Sequence, residues 1–341
     1  MTTPILAIAL FLVSAFITRG LVANSHRLST LDIPNERSSH LTPTPRGGGI
    51  AFVATSLVGL FLLLLNNTLN NEDVLALCCA GAIVAVAGFL DDRHKTSGAM
   101  FRLVLHGIGA IILVVGIGLP SQISLFDQTI STGLIGSILG VLYLVWLLNL
   151  FNFMDGTDGI AASEAIFVCL AGAILNYHVL SGANHSAAAV VLAVSTIGFL
   201  LYNWSPAEIF MGDVGSGYLG VMIGGLSLLA AKQQPELLWV WIILLAVFVS
   251  DATVTLIRRL LRKQKPHVAH RSHAYQHLAV LFASHAKVSL LVFAVNIVWL
   301  LPIAFLVANK QLEGTTGVVI AYIPLLIAAL ALGAGKDSAT N

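Results

Sequence analysis

The chain has 341 residues, of which 57% are hydrophobic and 10% are charged, and its mean hydropathy is +0.91. This composition excludes a soluble globular domain, and a formal net charge of +1 gives no basic surface for a nucleic acid partner. Because about 20 apolar residues cross a bilayer as a helix, the sequence predicts an all-α, polytopic integral membrane protein.

Eleven apolar segments are long enough to be transmembrane helices. They lie at residues 4–22, 47–65, 74–90, 101–119, 133–151, 160–179, 187–204, 214–231, 236–257, 288–308 and 316–334. No Lys or Arg precedes the first segment, so we expect an anchored helix and not a cleaved signal peptide. Cytoplasmic loops of membrane proteins carry an excess of Lys and Arg. We therefore expect the N-terminus outside and the C-terminus in the cytoplasm, because this orientation leaves only two of the seventeen basic residues, Lys232 and Lys310, on the outer side.

This orientation places most of the polar residues in the cytoplasmic loops. The whole chain, residues 1–341, is expected to be a single membrane-embedded domain with its active site facing the cytoplasm. The loops expected to form the site are residues 23–46, 91–100, 152–159, 205–213 and 258–287.

The first inner loop ends in a glycine-rich segment. Residues 43–49 place Arg46 beside three glycines. Backbone amides of the glycines and the Arg46 guanidinium could bind an anion together. The alternative is a flexible segment that only leads into the next helix.

The next inner loop opens with the adjacent carboxylates of Asp91 and Asp92. At an effective dielectric near 20, charges about 5 Å apart repel by about 3 kcal/mol, so this pair needs a cation, a proton or hydrogen-bond donors. The alternative is a solvated helix end neutralised by Arg93 and Lys95.

A polar run follows the fifth apolar segment and contains Asn149, Asn152, Asp155 and Asp158. Such groups at a membrane helix end are costly unless water, a metal or a substrate contacts them. Their spacing of three spreads them over half a regular helix, and both aspartates precede glycine. We therefore expect the helix to end within the run and unwind into a loop. A cap with a tight turn is the structural alternative.

Two further inner segments carry candidate residues. Residues 210–217 place Asp213 in a glycine-rich loop at a helix N-terminus, which favours a phosphate, although Asp213 could instead cap that helix. The basic residues from Arg258 onward suit lipid headgroups as well as substrate. His270, His273 and His277 would share one face of a helix and can contact phosphate oxygens. Zinc would need a further ligand, which no nearby cysteine or acid supplies.

The combined set predicts a metal-bridged diphosphate site, because hard oxygen ligands favour Mg²⁺, or Mn²⁺, and arginines with glycine loops bind anions. The chain resembles the polyprenyl-phosphate N-acetylhexosamine-1-phosphate transferases of glycosyltransferase family 4 along nearly its whole length. The matching segments are residues 34–40 with 45–49, 88–92, 149–159, 212–216, and Asp251 with Arg258 and Arg259.

The resemblance implies transfer of a sugar 1-phosphate from a UDP-sugar to undecaprenyl phosphate at the bacterial inner membrane, with UMP released and Mg²⁺ required. The metal ligands that it implies are Asn152 and Asp213. The implied catalytic residues are Asp91, Asp92, Asp155, Asp158, His270 and His273. The implied substrate-binding residues are Arg37, His40, Arg46, Asn149, Arg271 and His277.

Asp91 and Asp92 are expected to face the lipid phosphate. One of them could remove a proton from the lipid phosphate, hold the lipid in line for the reaction, or attack the nucleotide covalently. Much of a phosphate monoester is a dianion at pH 7, which favours direct attack by the lipid. Asp155 and Asp158 are expected on the diphosphate and nucleotide side.

Residues 269–277 lack the compact histidine triplet of the peptidoglycan branch. This departure favours an N-acetylated amino or deoxyamino sugar as the transferred group, such as a fucosamine or quinovosamine type. The reaction would then be the first membrane step of O-antigen or related polysaccharide synthesis.

One alternative function is that of a phospho-muramoyl-pentapeptide transferase. An alternative from another class is a transporter or flippase, in which the acidic residues would lie at the membrane midplane between inverted repeats. A homodimer is compatible with the sequence.

Overall fold

The computed structural model describes residues 3–25, 30–32, 43–94, 99–182, 184–264 and 270–336. Within them, helices dominate and the only strands form two small hairpins, so the predicted all-α class is confirmed. The helices are α1 (Thr3–Ala23), α2 (Gly49–Leu65), α3 (Asn71–His94), α4 (Ala99–Gly116), α5 (Gly133–Met154), α6 (Ile160–Leu180), α7 (Asn184–Asn203), α8 (Asp213–Gln233), α9 (Glu236–Leu244), α10 (Ala246–Leu261), α11 (Ala274–Phe282), α12 (His285–Val295), α13 (Leu301–Ala308) and α14 (Gly314–Ala331). The strands are β1 (Thr30–Asp32), β2 (Thr44–Arg46), β3 (Gln122–Leu125) and β4 (Gln128–Ser131).

In these described ranges, eight helical segments are long and apolar enough to cross a membrane, and the bent pair of α9 and α10 makes a ninth. One of the eight is the continuous run His285–Ala308, in which a π-helical turn joins α12 to α13. Helices α2 and α4 are apolar but shorter. Each predicted segment overlaps one of these helices, and the polytopic membrane class is therefore confirmed. The number of crossings stays a prediction.

Several predicted boundaries are wrong. Helix α3 continues to His94, so Asp91 and Asp92 lie in its last turn and not beyond its end. The segment at 236–257 is not one helix, because α9 and α10 meet at a bend of 70°. Helix α11 and both hairpins were not expected from the hydropathy pattern, since each is too short to stand out as an apolar segment.

Helix α8 is the centre of the bundle, and all its residues from Val214 to Ala231 are buried. Small residues make this possible, because they let neighbouring backbones approach closely in a membrane. A β-carbon on Gly220 would lie 2.5 Å from the Leu147 carbonyl oxygen of α5, and one on Gly49 of α2 would lie 2.5 Å from the Gly215 α-carbon. A β-carbon on Gly88 of α3 would collide with the Asp213 carbonyl oxygen. The bundle therefore packs around α8 backbone to backbone.

Polar contacts join α3 and α8 at both of their ends. At one end, Lys232 Nζ lies 2.7 Å from Asp73 Oδ1, whose side chain is 3% exposed. At the other end, the Asp92 carboxylate accepts hydrogen bonds from the first two backbone amides of α8. Charged groups within a membrane are stable only when paired in this way. The two contacts fix the register of α3 against α8.

The segments that lead into α2 and α8 are held together by backbone hydrogen bonds. The Phe210 amide donates to the Pro45 carbonyl oxygen at 2.8 Å, and the Gly48 amide donates to the Phe210 carbonyl oxygen at 2.9 Å. Arg46 also forms a parallel bridge with Phe210. Residue 47 has φ +95°, a conformation that favours glycine. This pairing delivers Arg46 to the N-terminus of α8.

We expect Gly220→Val to lower the melting temperature of the detergent-solubilised protein clearly, because overpacking a close contact costs about 1–3 kcal/mol. The matched control is Gly20→Val in α1, where an added β-carbon meets no atom within 4 Å. The melting temperatures of the two variants are measured by thermal unfolding, monitored through intrinsic fluorescence. Equal melting temperatures for the two variants would contradict the role of Gly220 in packing.

Candidate active site

Five charged side chains from four segments meet at the end of the bundle where α8 begins. We call Asp91, Asp92 and Asp213 the carboxylate cluster, and Arg46 and Arg102 bridge it. Arg46 Nε lies 3.0 Å from Asp92 Oδ1, and its Nη2 lies 2.5 Å from Asp213 Oδ1. Arg102 Nη1 lies 2.7 Å from Asp91 Oδ2 and 2.9 Å from Asp213 Oδ2. The structure therefore brings together four residues predicted from the sequence, with Arg102 added.

Asp92 holds the N-terminus of α8 from a different helix. Its Oδ1 accepts from the Asp213 amide at 3.0 Å, and its Oδ2 accepts from the Val214 amide at 3.1 Å. These amides have no partner within their own helix, and a carboxylate also suits the positive end of the helix dipole. The N-cap is Gly212, at φ 77°, so the alternative in which Asp213 caps α8 is wrong.

Asp91 is the most accessible member of the carboxylate cluster. Its side chain is 17% exposed, against 6% for Asp92 and 12% for Asp213. Arg93, expected as a neutralising residue in the solvated-loop alternative, instead lies over the Phe89 ring at 4.9 Å. Lys95 lies outside the described residues. Asp91 thus offers a carboxylate to a ligand, whereas Asp92 is committed to helix α8.

Asn152 lies in the last turn of α5 and contacts Asp213. Its Nδ2 donates to Asp213 Oδ1 at 3.0 Å and to Ser216 Oγ at 3.1 Å. The amide oxygen of Asn152 has no hydrogen-bond donor among the described residues. An oxygen next to an acidic group is a suitable ligand for a hard cation.

Helix α5 ends at Met154, inside the polar run as predicted. Asp155 follows it, and its carboxylate has neither a hydrogen bond nor an ion pair in the described part of the chain. Burial raises the pKa of Asp155 well above its ordinary value, and the nearby Arg46 opposes this shift only in part. Repulsion from Asp213, Asp92 and Asp158 raises the pKa of Asp155 further. Asp155 is thus a carboxylate held near other acids without its own counter-ion.

Asp158 and Asn149 have partners away from the carboxylate cluster. Asp158 Oδ1 lies 3.2 Å from His285 Nδ1, and its Oδ2 accepts from the Ala207 amide at 3.3 Å. Burial would raise the pKa of Asp158, but the hydrogen bond and charge of His285, together with hydrogen bonds from the Ala207 amide and Ser205, outweigh burial and lower it. Asn149 Nδ2 donates to the Val145 carbonyl oxygen of its own helix at 2.7 Å.

The histidine segment, defined as residues 270–277, lies against the end of α5. The Tyr275 hydroxyl donates to the Phe153 carbonyl oxygen at 3.0 Å. On α10, Asp251 accepts from the amides of Ala274 and Tyr275, each at 2.9 Å, and its Oδ1 lies 3.2 Å from His273 Nδ1. Asp251 therefore holds the N-terminus of α11 as Asp92 holds that of α8.

The three histidines do not share a helix face. The rings of His270 and His273 stack with their centroids 5.1 Å apart, ahead of α11. His277 lies within α11, and its Nδ1 is 2.8 Å from the Leu332 carbonyl oxygen. Arg271 lies within electrostatic range of the Tyr275 hydroxyl. Two predicted substrate-binding residues, Arg37 and His40, lie outside the described residues.

The sequence analysis missed Arg102 and His285, and it did not include Asp251 among the site residues. A signal for Arg102 was present, because an arginine inside an apolar helix needs a partner. No local pattern marks His285, since its contact with Asp158 depends on how distant helices pack. Asp251 lies in one of the matching segments, but its contacts with α11 depend on helix packing as well.

The donor set suits a hard cation such as Mg²⁺. The carboxylate cluster carries three negative charges against two from the arginines, and Asp155 adds a further acid. The Asn152 side chain contacts Asp213 through its amide nitrogen, and its amide oxygen is available as a further ligand. In the described residues no group of three acids, histidines or cysteines is arranged to hold a metal. The two arginines contact both carboxylate oxygens of Asp213. A cation at Asp213 would therefore share these oxygens with Arg46 and Arg102 or replace them.

The fold and the carboxylate cluster define a polytopic membrane protein with a polar site at one end of its helix bundle. Residues 74–231 match the model of glycosyl transferase family 4. The chain is 31% identical over 279 residues to a probable undecaprenyl-phosphate N-acetylglucosaminyl 1-phosphate transferase of Bacillus subtilis, covering 80% of this chain and 76% of that protein.

It is also 30% identical over 308 residues to a decaprenyl-phosphate N-acetylglucosaminephosphotransferase of Mycobacterium leprae, covering 80% of this chain and 75% of that protein. A phospho-N-acetylmuramoyl-pentapeptide-transferase of Prochlorococcus marinus is 27% identical over 271 residues, with 74% and 71% covered. The chain belongs to the polyprenyl-phosphate N-acetylhexosamine-1-phosphate transferase family, and the resemblance found in its motifs is confirmed.

We expect Asp155→Asn to raise the melting temperature near pH 7.5, because it removes a buried charge without a counter-ion. Burial raises the pKa of Asp155 in the folded protein. Asp155 therefore lowers the stability of the folded state increasingly as the pH rises above the ordinary pKa of an aspartate, and it has no effect on stability below that pKa. The gain should therefore shrink as the pH falls toward 4. Differential scanning fluorimetry across this range measures it, and a variant that melts lower than the parent at pH 7.5 would refute the assignment.

Proposed function

We propose that the protein transfers a sugar 1-phosphate from a UDP-sugar to undecaprenyl phosphate, releasing UMP. The observation that carries this proposal is the carboxylate cluster bridged by Arg46 and Arg102. It combines acids for a divalent cation with guanidinium groups for phosphates, at a helix-bundle end that a membrane lipid and a soluble nucleotide can both reach. Relatives named as polyprenyl-phosphate sugar-1-phosphate transferases support the same reaction.

In the proposed reaction, an oxygen of the lipid phosphate attacks the sugar-bearing phosphorus of the UDP-sugar. A new phosphorus–oxygen bond forms to the lipid, and the bond between the two phosphates of the nucleotide breaks, so UMP leaves with the bonding electrons. Mg²⁺ held by Asp213 and Asn152 would neutralise the diphosphate and stabilise the leaving phosphate. Mn²⁺ could serve the same oxygen ligands.

The arginines have donors that phosphates can share. Arg46 lies beside the N-terminus of α8, and Arg102 lies beside Asp91, so each guanidinium can bind a phosphate oxygen at the edge of the cluster. Charge-assisted contacts of this kind are strong and directional. We assign the nucleotide diphosphate to the side of Arg46 and Asp155.

The two adjacent aspartates have different roles in this proposal. Asp91 faces the lipid phosphate, because its side chain is 17% exposed against 6% for Asp92. Asp92 positions α8, since both of its oxygens accept backbone amides. A carboxylate with an ion-pair partner is a weak nucleophile, which favours direct attack by the lipid over a covalent intermediate.

We further propose that residues 1–341 act as one transferase domain in the bacterial inner membrane, with the site facing the cytoplasm. The sugar is proposed to be an N-acetylated amino or deoxyamino sugar, and the product to begin an O-antigen or related surface polysaccharide. N-acetylglucosamine joins the candidate sugars because relatives are named for it. The His270 and His273 pair is proposed to contact the diphosphate or sugar. Homodimer formation is part of the proposal.

We expect UMP release to require Mg²⁺ and to fall about 100-fold or more in Asp213→Asn, a loss typical of removing one electrostatic contact in a transition state. The rate of UMP release is measured with purified protein in detergent, undecaprenyl phosphate and a UDP-sugar. A parallel reaction with EDTA gives the rate without the metal. The control is Glu236→Gln, a half-buried acid at the opposite end of the bundle that pairs with Lys310. Full activity in EDTA, or in Asp213→Asn, would overturn the metal assignment.

A panel of UDP-sugars tests the donor. We expect turnover with at least one UDP-N-acetylhexosamine, whether N-acetylglucosamine or an N-acetylated fucosamine or quinovosamine, and none with UDP-muramoyl-pentapeptide. Mass spectrometry of the lipid product identifies the transferred group. Transfer of phospho-muramoyl-pentapeptide as the best substrate would place the protein in the peptidoglycan branch instead. The absence of UMP release with every member of the panel would refute the transferase proposal.

A further inference from the structure

Residues 332–336, which we call the C-terminal turn, fold back from α14 onto α10 and the histidine segment. Arg258 Nη1 donates to the Ala334 carbonyl oxygen at 2.8 Å, and Arg262 Nη1 donates to the Gly335 carbonyl oxygen at 3.1 Å. Two arginines that the sequence analysis could equally assign to lipid headgroups are therefore bound to backbone carbonyls. This is the arrangement expected where a turn must be kept in one place.

The C-terminal turn also has its own apolar contacts. Ala334 is fully buried, and with Val254, Ala274 and Ala329 it forms a small cluster separate from the main core. Val254 belongs to α10 and Ala274 begins α11. The turn therefore packs between α14 and the two helices that hold the histidine segment.

Glycine is needed where the turn is tightest. Gly333 and Gly335 have φ values of +84° and +74°, which other residues adopt only with strain. A β-carbon on Gly335 would lie 2.7 Å from the Arg258 β-carbon and 3.0 Å from the Thr255 carbonyl oxygen. A side chain at 335 would therefore push the turn away from α10.

The turn contacts the histidine segment at two points. The Gly335 amide donates to the Ser272 carbonyl oxygen at 2.7 Å, and the Leu332 carbonyl oxygen lies 2.8 Å from His277 Nδ1. Ser272 lies between the stacked His270 and His273, and its Oγ is 2.9 Å from His270 Nδ1. The turn thus fixes the backbone that joins the two stacked histidines.

We infer that the C-terminal turn positions the histidine segment for the sugar nucleotide. Three anchors hold this segment: Asp251 at the N-terminus of α11, the Tyr275 hydroxyl on α5, and the turn on Ser272 and His277. The first two fix α11 itself. The turn binds the carbonyl oxygen of Ser272, whereas Arg259 Nη1 lies 3.4 Å from the Ser272 hydroxyl oxygen, so the turn holds the backbone from which the His270 ring projects. The role of the histidines rests on the proposed function, but the positioning of their backbone can be measured independently of it.

The test is Gly335→Val, with Gly118→Val as the matched control. Gly118 also has a left-handed φ, +86°, but an added β-carbon there meets no atom within 4 Å. In Gly335→Val we expect hydrogen–deuterium exchange at residues 272–277 to accelerate about tenfold, since local opening loses two anchoring contacts. We expect the KM for the UDP-sugar to rise about fivefold or more and the KM for undecaprenyl phosphate to change by less than about twofold.

Arg258→Met and Arg258→Lys give a second test that does not strain the backbone. Lysine keeps one donor for the Ala334 carbonyl oxygen, so Arg258→Lys should recover part of the loss in Arg258→Met. Unchanged exchange at 272–277 in both Gly335→Val and Arg258→Met overturns the inference. Faster exchange with an unchanged KM for the UDP-sugar overturns the positioning role. A parent protein inactive with every UDP-sugar refutes the proposed function alone, because the exchange measurement still reports on the turn.

Discussion

The arrangement of the whole site depends on the compensation of buried negative charge. Three carboxylates lie close together at the start of α8, and Arg46 and Arg102 each bridge two of them. Breaking a buried ion pair by removing one partner leaves an uncompensated charge at a cost of about 3–5 kcal/mol. Loss of one arginine would leave two carboxylates uncompensated, so the bridges couple the positions of β2, α3, α4 and α8. The five side chains proposed to carry the chemistry are therefore also the ones that hold this end of the bundle together.

Much of this could be predicted from the sequence, because charged and amide residues are rare in an apolar chain and stand out where they occur. The segments around Arg46, Asp91, Asn152 and Asp213 were found in this way, as was the end of α5 within the polar run. The partners could not be found, since they depend on helix packing. Asp91 and Asp92 are identical in sequence terms, yet only Asp92 reaches the amides of α8. The histidine spacing suggested one helical face, but α11 begins after His273.

Two helices in the site are capped by carboxylates from other helices. Asp92 of α3 binds the first amides of α8, and Asp251 of α10 binds the first amides of α11. A cap provided by the helix itself satisfies the same amides but leaves the helix free to shift. A cap from another helix links the position of each N-terminus to the packing of the bundle. The position of the α8 N-terminus is therefore set by α3, and that of the histidine segment by α10.

The glycine contacts of α8 have a consequence for how members of such a family diverge. Gly49, Gly88 and Gly215 bring three backbones together with no side chain between them that could be enlarged or trimmed. This glycine-lined wall cannot be reshaped by single substitutions, so in the proposed function it would suit the diphosphate, which every donor shares. If the proposed function holds, differences between donor sugars would instead be accommodated at the histidine segment, which is held by hydrogen bonds and can change residue by residue. Divergence in substrate would accumulate there while the glycine-lined wall stays constant.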